Sequence, residues 1–406
     1  MFRKLMVMAL CLTMAFDVCF AAKKVMEVAA QDGIVKIDAE SAMFSDGYKV
    51  TKVTLLYKKK LDPASVTVDD YEVKGQAIES VSVNGTKVTI NLDCSNYWYP
   101  ERKNFEYNNE ENTYGKYAVV TQNGSVTVAD GKSIYKGPYT LTSNKINEPK
   151  IFKEFWDKVF VDTENDMEIR YSVFTPSHYE AGWKYPVIVF IPDSRATTNI
   201  SRNALLQGIG GTIWAEDAEQ NKHQAVVIAV QYPKYTEKNY GPLVGEGGTW
   251  TAGLEAVYRL IRKELSTSRA DRSRIYAVGQ GEGAAANLLI GQHYPSFYAA
   301  QFAISPIYEI KDMDALKDQN LLIMVSSKDK QSYEAMEKSL KPLMSTSLCK
   351  DTWNVDSTAE EFAQAAKNQI SKGAANNYTV IDGGCREYTW CIGQEIEAIR
   401  DWLTAQ

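Results

Sequence analysis

The residues best placed to carry chemistry lie in one short run, Arg274-Ile275-Tyr276-Ala277-Val278-Gly279-Gln280-Gly281-Glu282-Gly283-Ala284-Ala285. Its apolar start reads as a strand and its small-residue end as a helix, with glycines forming a tight turn between them. A turn of this kind holds its middle residue in strained backbone, and a serine there is displayed as a nucleophile. Here the middle residue is Gly281, which has nothing to attack with. Acyl transfer also needs a base within hydrogen-bond reach to take the nucleophile's proton. The supply is thin: the chain has 3 histidines, His178, His223 and His293. They fall in a loop, before a strand and after the helix that follows the glycine turn, where structural or surface roles fit. Ser305 and Ser327 lie near strand ends but in no such turn. Cys385 stands beside Arg386, which favours a thiolate, yet no base accompanies it. So few histidines argue against a His-rich metal site, and neither a metal nor a cofactor is expected.

The elements that must position this run alternate between strand and helix. Strands are predicted at Met167–Phe174, Tyr185–Ile191, Ala225–Gln231, Arg274–Val278, Asn320–Val325 and Tyr378–Ile381. Tyr185–Ile191 is almost continuously apolar, the mark of a strand buried on both faces of a sheet. Helices are predicted at Thr251–Leu265, with Leu254, Val257, Tyr258 and Ile261 on one face, and at Ala284–Ile290, Ser332–Leu340 and Gly393–Leu403. Such alternation implies an α/β domain with a largely parallel sheet over residues 151–406, whose ligands bind beyond the carboxyl ends of the strands.

Residues 25–150 read differently. Val50–Tyr57 alternates, as does Ser80–Leu92 around the turn Asn84-Gly85, and Lys116–Thr121 and Ser125–Val128 add further strands. Short strands separated by turns imply an all-β immunoglobulin-like (Ig-like) sandwich without a Cys-Trp-Cys framework. The polar-aromatic stretch Ser95–Tyr114, with Tyr97, Trp98 and Tyr99, is either a solvated insertion or a lid or glycan-contacting surface. Ahead of this region, Arg3 and Lys4 precede an apolar run, Leu5–Phe16, too short to span a bilayer, and small residues follow. Residues 1–21 are therefore expected to be a signal peptide, cut after Ala21 or Ala22, and the product to be secreted, extracellular or periplasmic, without a lipid anchor. Four cysteines remain, Cys94, Cys349, Cys385 and Cys391, open to either disulfides or buried thiols. With 45% hydrophobic and 24% charged residues, the 406-residue chain is globular rather than disordered. Its net charge of −6 leaves no basic footprint for nucleic acid, and no second apolar run is long enough to span a membrane.

The run around Gly281 resembles the elbow of secreted α/β-hydrolase esterases and prolyl-oligopeptidase-like relatives that carry an N-terminal Ig-like domain. Other segments resemble the same family in order and spacing. They are Phe190-Ile191-Pro192-Asp193-Ser194 after the third strand, Gln207-Gly208 through Thr212-Ile213-Trp214-Ala215, and Gln220-Asn221-Lys222-His223. Asp271–Tyr276 matches the lead-in to the elbow, and Ile399-Arg400-Asp401-Trp402-Leu403 the terminal helix. The resemblance implies an α/β-hydrolase fold, mostly parallel sheet flanked by helices, behind the Ig-like sandwich. It also implies a Ser-His-Asp site. The serine position holds Gly281, the histidine position holds Arg386 in Gly383–Trp390, and the acid is matched by Asp329. Asp193, Ser194, Gln280, Glu282 and Trp390 fall where substrate contacts are implied.

These departures bear on function. Glycine offers no nucleophile, and arginine stays protonated and cannot act as a base. Loss of a complete triad costs on the order of 10⁶ in kcat in a serine protease. If Arg386 stands in the histidine's place, an ion pair with Asp329 or a bound carboxylate or sulfate would occupy it. The expected protein is an exported pseudo-esterase that binds a small ester, peptide or glycan or assists active relatives, with self-association through the Ig-like domain left open. The alternative is a weakly active carboxylesterase or peptidase-like hydrolase using non-standard residues.

Overall fold

A computed structural model of the protein describes residues 25–94, 118–143, 146–177, 179–194, 201–231, 242–344 and 347–406. The signal-peptide reading, the Ser95–Tyr114 loop and His178 lie outside these residues.

Between Met26 and Asn147 the described chain is mostly strand, with one short helix, Ala30–Gly33, and two 3-10 turns. Five strands order as Ile146–Asn147, Ile34–Phe44, Gly47–Tyr57, Lys87–Leu92 and Ile78–Asn84, and two three-stranded sheets accompany them. Alternation sends Val53, Leu55, Val88, Ile90, Val120 and Val126 into a shared core at 0% exposure. Tyr57 is buried there too, its hydroxyl bonded to Tyr71 Oη at 2.9 Å and to Gln122 Oε1 at 2.7 Å. Burial pushes that phenol's pKa upward, so it stays neutral. The strand Ile34–Phe44 was not expected from the sequence, because its inward positions include Ala39 and Ser41 rather than large apolar residues.

The remainder builds a sheet of nine strands and a small hairpin, Val244–Gly245 with Thr249–Trp250. The strands of the sheet are β1 Phe155–Asp162, β2 Met167–Phe174, β3 Tyr185–Ile191, β4 Val226–Val230, β5 Ala270–Gln280, β6 Ala300–Ile304, β7 Asn320–Ser326, β8 Leu348–Asn354 and β9 Asn376–Asp382. Their spatial order is β1-β2-β4-β3-β5-β6-β7-β9-β8, with β1 and β2 antiparallel and every later pairing after the β2–β4 contact parallel. The helices are α1 Ala252–Thr267, α2 Glu282–His293, α3 Lys330–Ser339, α4 Ala359–Ile370, α5 Arg386–Glu395 and α6 Glu397–Thr404. Both faces of the central strands are covered. Val187, Val189 and Ile191 of β3 pack into one apolar cluster, while Ile188 and Phe190 pack into the other. This double burial is why β3 has no polar alternation.

Three strands, β1, β6 and β8, and helix α4 go beyond the elements expected from sequence. The single closing helix expected at Gly393–Leu403 is two helices, α5 and α6, separated at Ile396, whose φ of −75° and ψ of 102° leave the helical region. Arg202 bonds to Glu148, in the segment leading into β1, at 2.5 Å and to Asp157 of β1 at 3.0 Å. Among the described residues no helix is long and apolar enough to cross a membrane.

Candidate functional site

The parallel strands β5, β7 and β9 end on the same edge of the sheet, and the residues singled out by sequence follow them directly. β5 runs into Gly281 and then α2. Gly281 has φ of 55° and ψ of −120°, a conformation that L side chains rarely adopt. Its amide donates to the carbonyl of Ile304 at 2.9 Å, pinning the turn to the end of β6. Gly283, one turn on, is forced by proximity: a Cβ there would stand 2.1 Å from the carbonyl oxygen of Ile191 and 2.3 Å from that of Pro192. The helix can enter this closely only because position 283 has no side chain.

Gly281 meets something different. A Cβ at 281 would lie 1.9 Å from Oδ2 of Asp193, which follows β3. The space a nucleophile's side chain would enter is filled by a carboxylate. Asp193 is 1% exposed, and its amide donates to Gln207 Oε1 at 2.6 Å. The network continues inward: Gln280 Nε2 donates to the carbonyl of Gln207 at 3.1 Å, and Gln394 Nε2 donates to Gln280 Oε1 at 3.4 Å. Sequence reasoning missed Gln207 and Gln394 as members. The only local signal was an amide side chain at the head of Gln207-Gly208-Ile209-Gly210-Gly211.

Glu282, the first residue of α2, is also buried and accepts from the amide of Val244 at 3.2 Å. Burial raises its pKa above the usual carboxyl range, and the nearby Asp193 charge pushes the same way. Ser194 reaches Glu282 by a side-chain hydrogen bond. Trp390 is 3% exposed and belongs to the apolar cluster with Phe190, Phe302 and Trp402. Of the five residues read as substrate contacts, Asp193, Gln280 and Glu282 thus hold the turn from inside and Trp390 fills the core. Ser194 alone is partly exposed.

The second corner lies beyond β7 and β9. Ser326 donates to the carbonyls of Gly383 and Gly384, and Ser327 accepts from the amide of Gly383 at 2.9 Å. These contacts stitch the two strand ends together and set Arg386 against Asp329. The pair is bidentate, with Nε to Oδ2 at 2.8 Å and Nη2 to Oδ1 at 2.9 Å. Nη2 also donates to Gln331 Oε1 at 3.0 Å. Asp329 caps α3 at the same time, accepting from the amide of Ser332 at 3.5 Å. Both carboxylate oxygens therefore face a cation that cannot give up its proton.

Cys385 precedes Arg386, but burial pushes its thiol up to about 12, and Sγ accepts from the amide of Tyr388 at 3.4 Å. At neutral pH it is a thiol, not a thiolate. No disulfide joins the four described cysteines. Ser305, at φ of 51°, is fully buried at the end of β6. Among the described residues the hydroxyls at this edge meet carboxylates and not a histidine: Ser327 Oγ lies 3.2 Å from Asp382 Oδ1, and Ser194 bonds to Glu282.

The strand order and the turn between β5 and α2 permit comparison with known proteins. No family model and no curated protein matches the chain. Among solved structures, a thermostable esterase superposes over 91% of this chain and 99% of its own, with a TM-score of 0.61 and 19% identity. The chain shares the fold of that esterase. At that identity the likeness shows the fold alone. A feruloyl esterase module from Clostridium thermocellum, complexed with sinapinate, covers 60% of this chain and 86% of its own at a TM-score of 0.42 and 10% identity. An S-formylglutathione hydrolase from Staphylococcus aureus covers 61% and 96% at 0.38 and 10% identity. Neither of these weaker likenesses carries any argument. A sharp strand-to-helix turn like the one after β5 can display a nucleophile at its tip. The chain displays Gly281 there.

Proposed function

We propose that this protein is an exported pseudo-esterase: an Ig-like domain over residues 25–150 followed by an α/β-hydrolase domain over 151–406 that binds rather than hydrolyses. The observation that carries the reading is the carboxylate of Asp193 standing 1.9 Å from where a side chain at position 281 would begin. A serine at 281 would require the Asp193 side chain to swing away, so as the chain stands that room is taken. The bidentate Arg386–Asp329 pair supports the same reading, because the acid that would orient a histidine is engaged by a permanent cation.

A binding role finds space away from the turn. A cavity of about 1060 Å³ opens between the first region and the sheet, with Glu40, Lys52, Lys153, Glu216 and Asp217 among its walls. Its mixed charge and polar lining suit a hydrophilic ligand such as a peptide or glycan better than a lipid.

The rival reading is weak hydrolysis through non-standard residues, and its one support is the buried pair Asp193 and Glu282, whose environments raise the pKa of Glu282. Labelling the full chain with a serine-directed fluorophosphonate, alongside hydrolysis of short p-nitrophenyl esters, separates the two. The proposal expects no label and no turnover above a heat-denatured control. Turnover that resists the fluorophosphonate and is lost in Asp193→Asn or Glu282→Gln would establish the rival instead.

A further inference from the structure

A second cluster of ionisable groups lies away from the turn, where the segment before β4 meets the last helix. Glu219, in the short helical turn Asp217–Gln220, is 4% exposed. Its Oε2 accepts from Arg400 Nε at 2.9 Å, a partner contributed by α6. Its Oε1 is buried and has no hydrogen-bond partner among the described residues. A buried carboxylate oxygen left so is unfavourable, the more so when charged. That oxygen faces His223 Nε2 at 4.0 Å, and His223 Nε2 lies 2.9 Å from Asp401 Oδ1 of α6. One donor atom from each of Glu219, His223 and Asp401 falls within 4.8 Å of the others.

We propose that these three residues form a site for a divalent transition-metal ion of the zinc class, which clamps α6 to the segment preceding β4. The donor set is one imidazole and two carboxylates, which suits Zn²⁺, Co²⁺ or Mn²⁺ better than a thiolate-seeking ion. Metal–ligand bonds to such groups run about 2.0–2.2 Å, so a triangle of this size closes around one ion with small side-chain shifts. The ion supplies the missing partner of Glu219 Oε1, and it replaces the His223–Asp401 hydrogen bond with two coordinate bonds. Arg400 holds the other oxygen of Glu219 and fixes the carboxylate's orientation, as hydrogen-bonded outer partners of metal ligands do. Half of the Asp401 side chain and a quarter of the His223 side chain remain exposed. The ion therefore has a path in from solvent, and water completes its shell.

The position argues for a structural ion rather than a reacting one. His223 and α6 belong to the end of the sheet from which β4 starts, opposite the edge carrying Gly281 and Arg386. Lys222 pairs with Glu397 beside the cluster, so the same two segments already meet through a second contact. An ion here adds a cross-link between residues far apart in sequence, whose gain appears as stability.

The test uses the full chain after treatment with a chelator, titrated with ZnCl₂ by calorimetry and followed by thermal unfolding. The expected result is one equivalent bound with micromolar affinity and a rise in Tm of about 3–5 °C at a hundredfold excess over the Kd. His223→Gln is expected to weaken binding at least tenfold and to cut the rise to half or less at the same zinc concentration, and Asp401→Asn to weaken it tenfold. Absence of binding, or binding left unchanged by both variants, overturns the site. Cobalt reads the unmodified chain and so does not depend on the variants folding. A Co²⁺ spectrum with visible ligand-field bands and no thiolate charge-transfer band supports oxygen and nitrogen ligands. A strong thiolate band would put the ion on a cysteine and end the proposal.

Discussion

The turn after β5 and the corner between Asp329 and Arg386 stand on one edge of one sheet, yet they retain different things. The turn keeps a shape. Gly281 sits at φ of 55°, α2 packs against the loop after β3, and no side chain projects. The corner holds a side-chain contact, an acid locked to a guanidinium at 2.8 Å. The difference teaches where each kind of information is stored. Backbone geometry is enforced by contacts with other backbone, such as that of Gly283 with Ile191 and Pro192, and it does not depend on the side chain at 281. Reactivity resides in single side chains, and changing one ends it.

The largest expected effect tests the backbone half of this contrast. Gly283→Ala places a methyl against two carbonyl oxygens that cannot withdraw without moving β3, so it should cost about 3 kcal/mol or more in chemical denaturation. A loss below 1 kcal/mol would mean that the turn is not held by backbone at all. Gly281→Ser comes next. It strains a left-handed position and collides with the Asp193 carboxylate, for an expected loss of about 2–3 kcal/mol. Because the obstacle there is a side chain, Asp193→Ala in the same chain should restore about half of it, and additive losses would contradict the packing described.

The corner is tested by Arg386→Met, which leaves Asp329, 7% exposed in its side chain, without its cation. Loss of one partner from a fully buried pair costs about 3–5 kcal/mol; with Arg386 partly exposed, about 2 is expected, read as a fall in Tm at low salt. The smallest effect is expected at Glu282→Gln. A carboxyl whose pKa is raised in the fold stabilises that fold when protonated. That contribution is complete below about 4.3, the usual glutamate value, and fades as pH climbs through the raised folded value. The glutamine variant should therefore melt higher than the native chain at pH 7 and lose the advantage near pH 4. An advantage that persists unchanged at pH 4 would remove the burial cost from the account.

Much of the scaffold was legible because its strands are buried on both faces. Met167–Phe174 and Tyr185–Ile191 have the same limits in sequence and structure, and the glycine turn marked the junction of β5 with α2. β1 was missed for the opposite reason: it is an edge strand with Trp156, Val159 and Val161 exposed, so its apolar residues follow no clean alternation. β6 has five residues, too few to establish a period. The break between α5 and α6 leaves no trace in composition, since Ile396 is as apolar as a helix interior. At the site, the type of residue at 281, 329 and 386 could be read, and the meeting of Arg386 with Asp329 was one of the alternatives left open. The occupation of the nucleophile's space by Asp193 could not be read, because it joins residues 88 positions apart by a contact that no local pattern announces. The amides Gln207 and Gln394 were hidden in the same way.

The central claim is that this scaffold has lost acyl transfer through identifiable side chains, and rebuilding them tests it most directly. Turnover of p-nitrophenyl acetate should be measured for the native chain beside an Asp193→Ala/Gly281→Ser/Arg386→His variant, with a fluorophosphonate as the inhibitor. The account predicts a silent native chain and a variant with measurable, fluorophosphonate-sensitive turnover. Efficient hydrolysis by the native chain, or a correctly folded variant that stays silent and unlabelled, would contradict it.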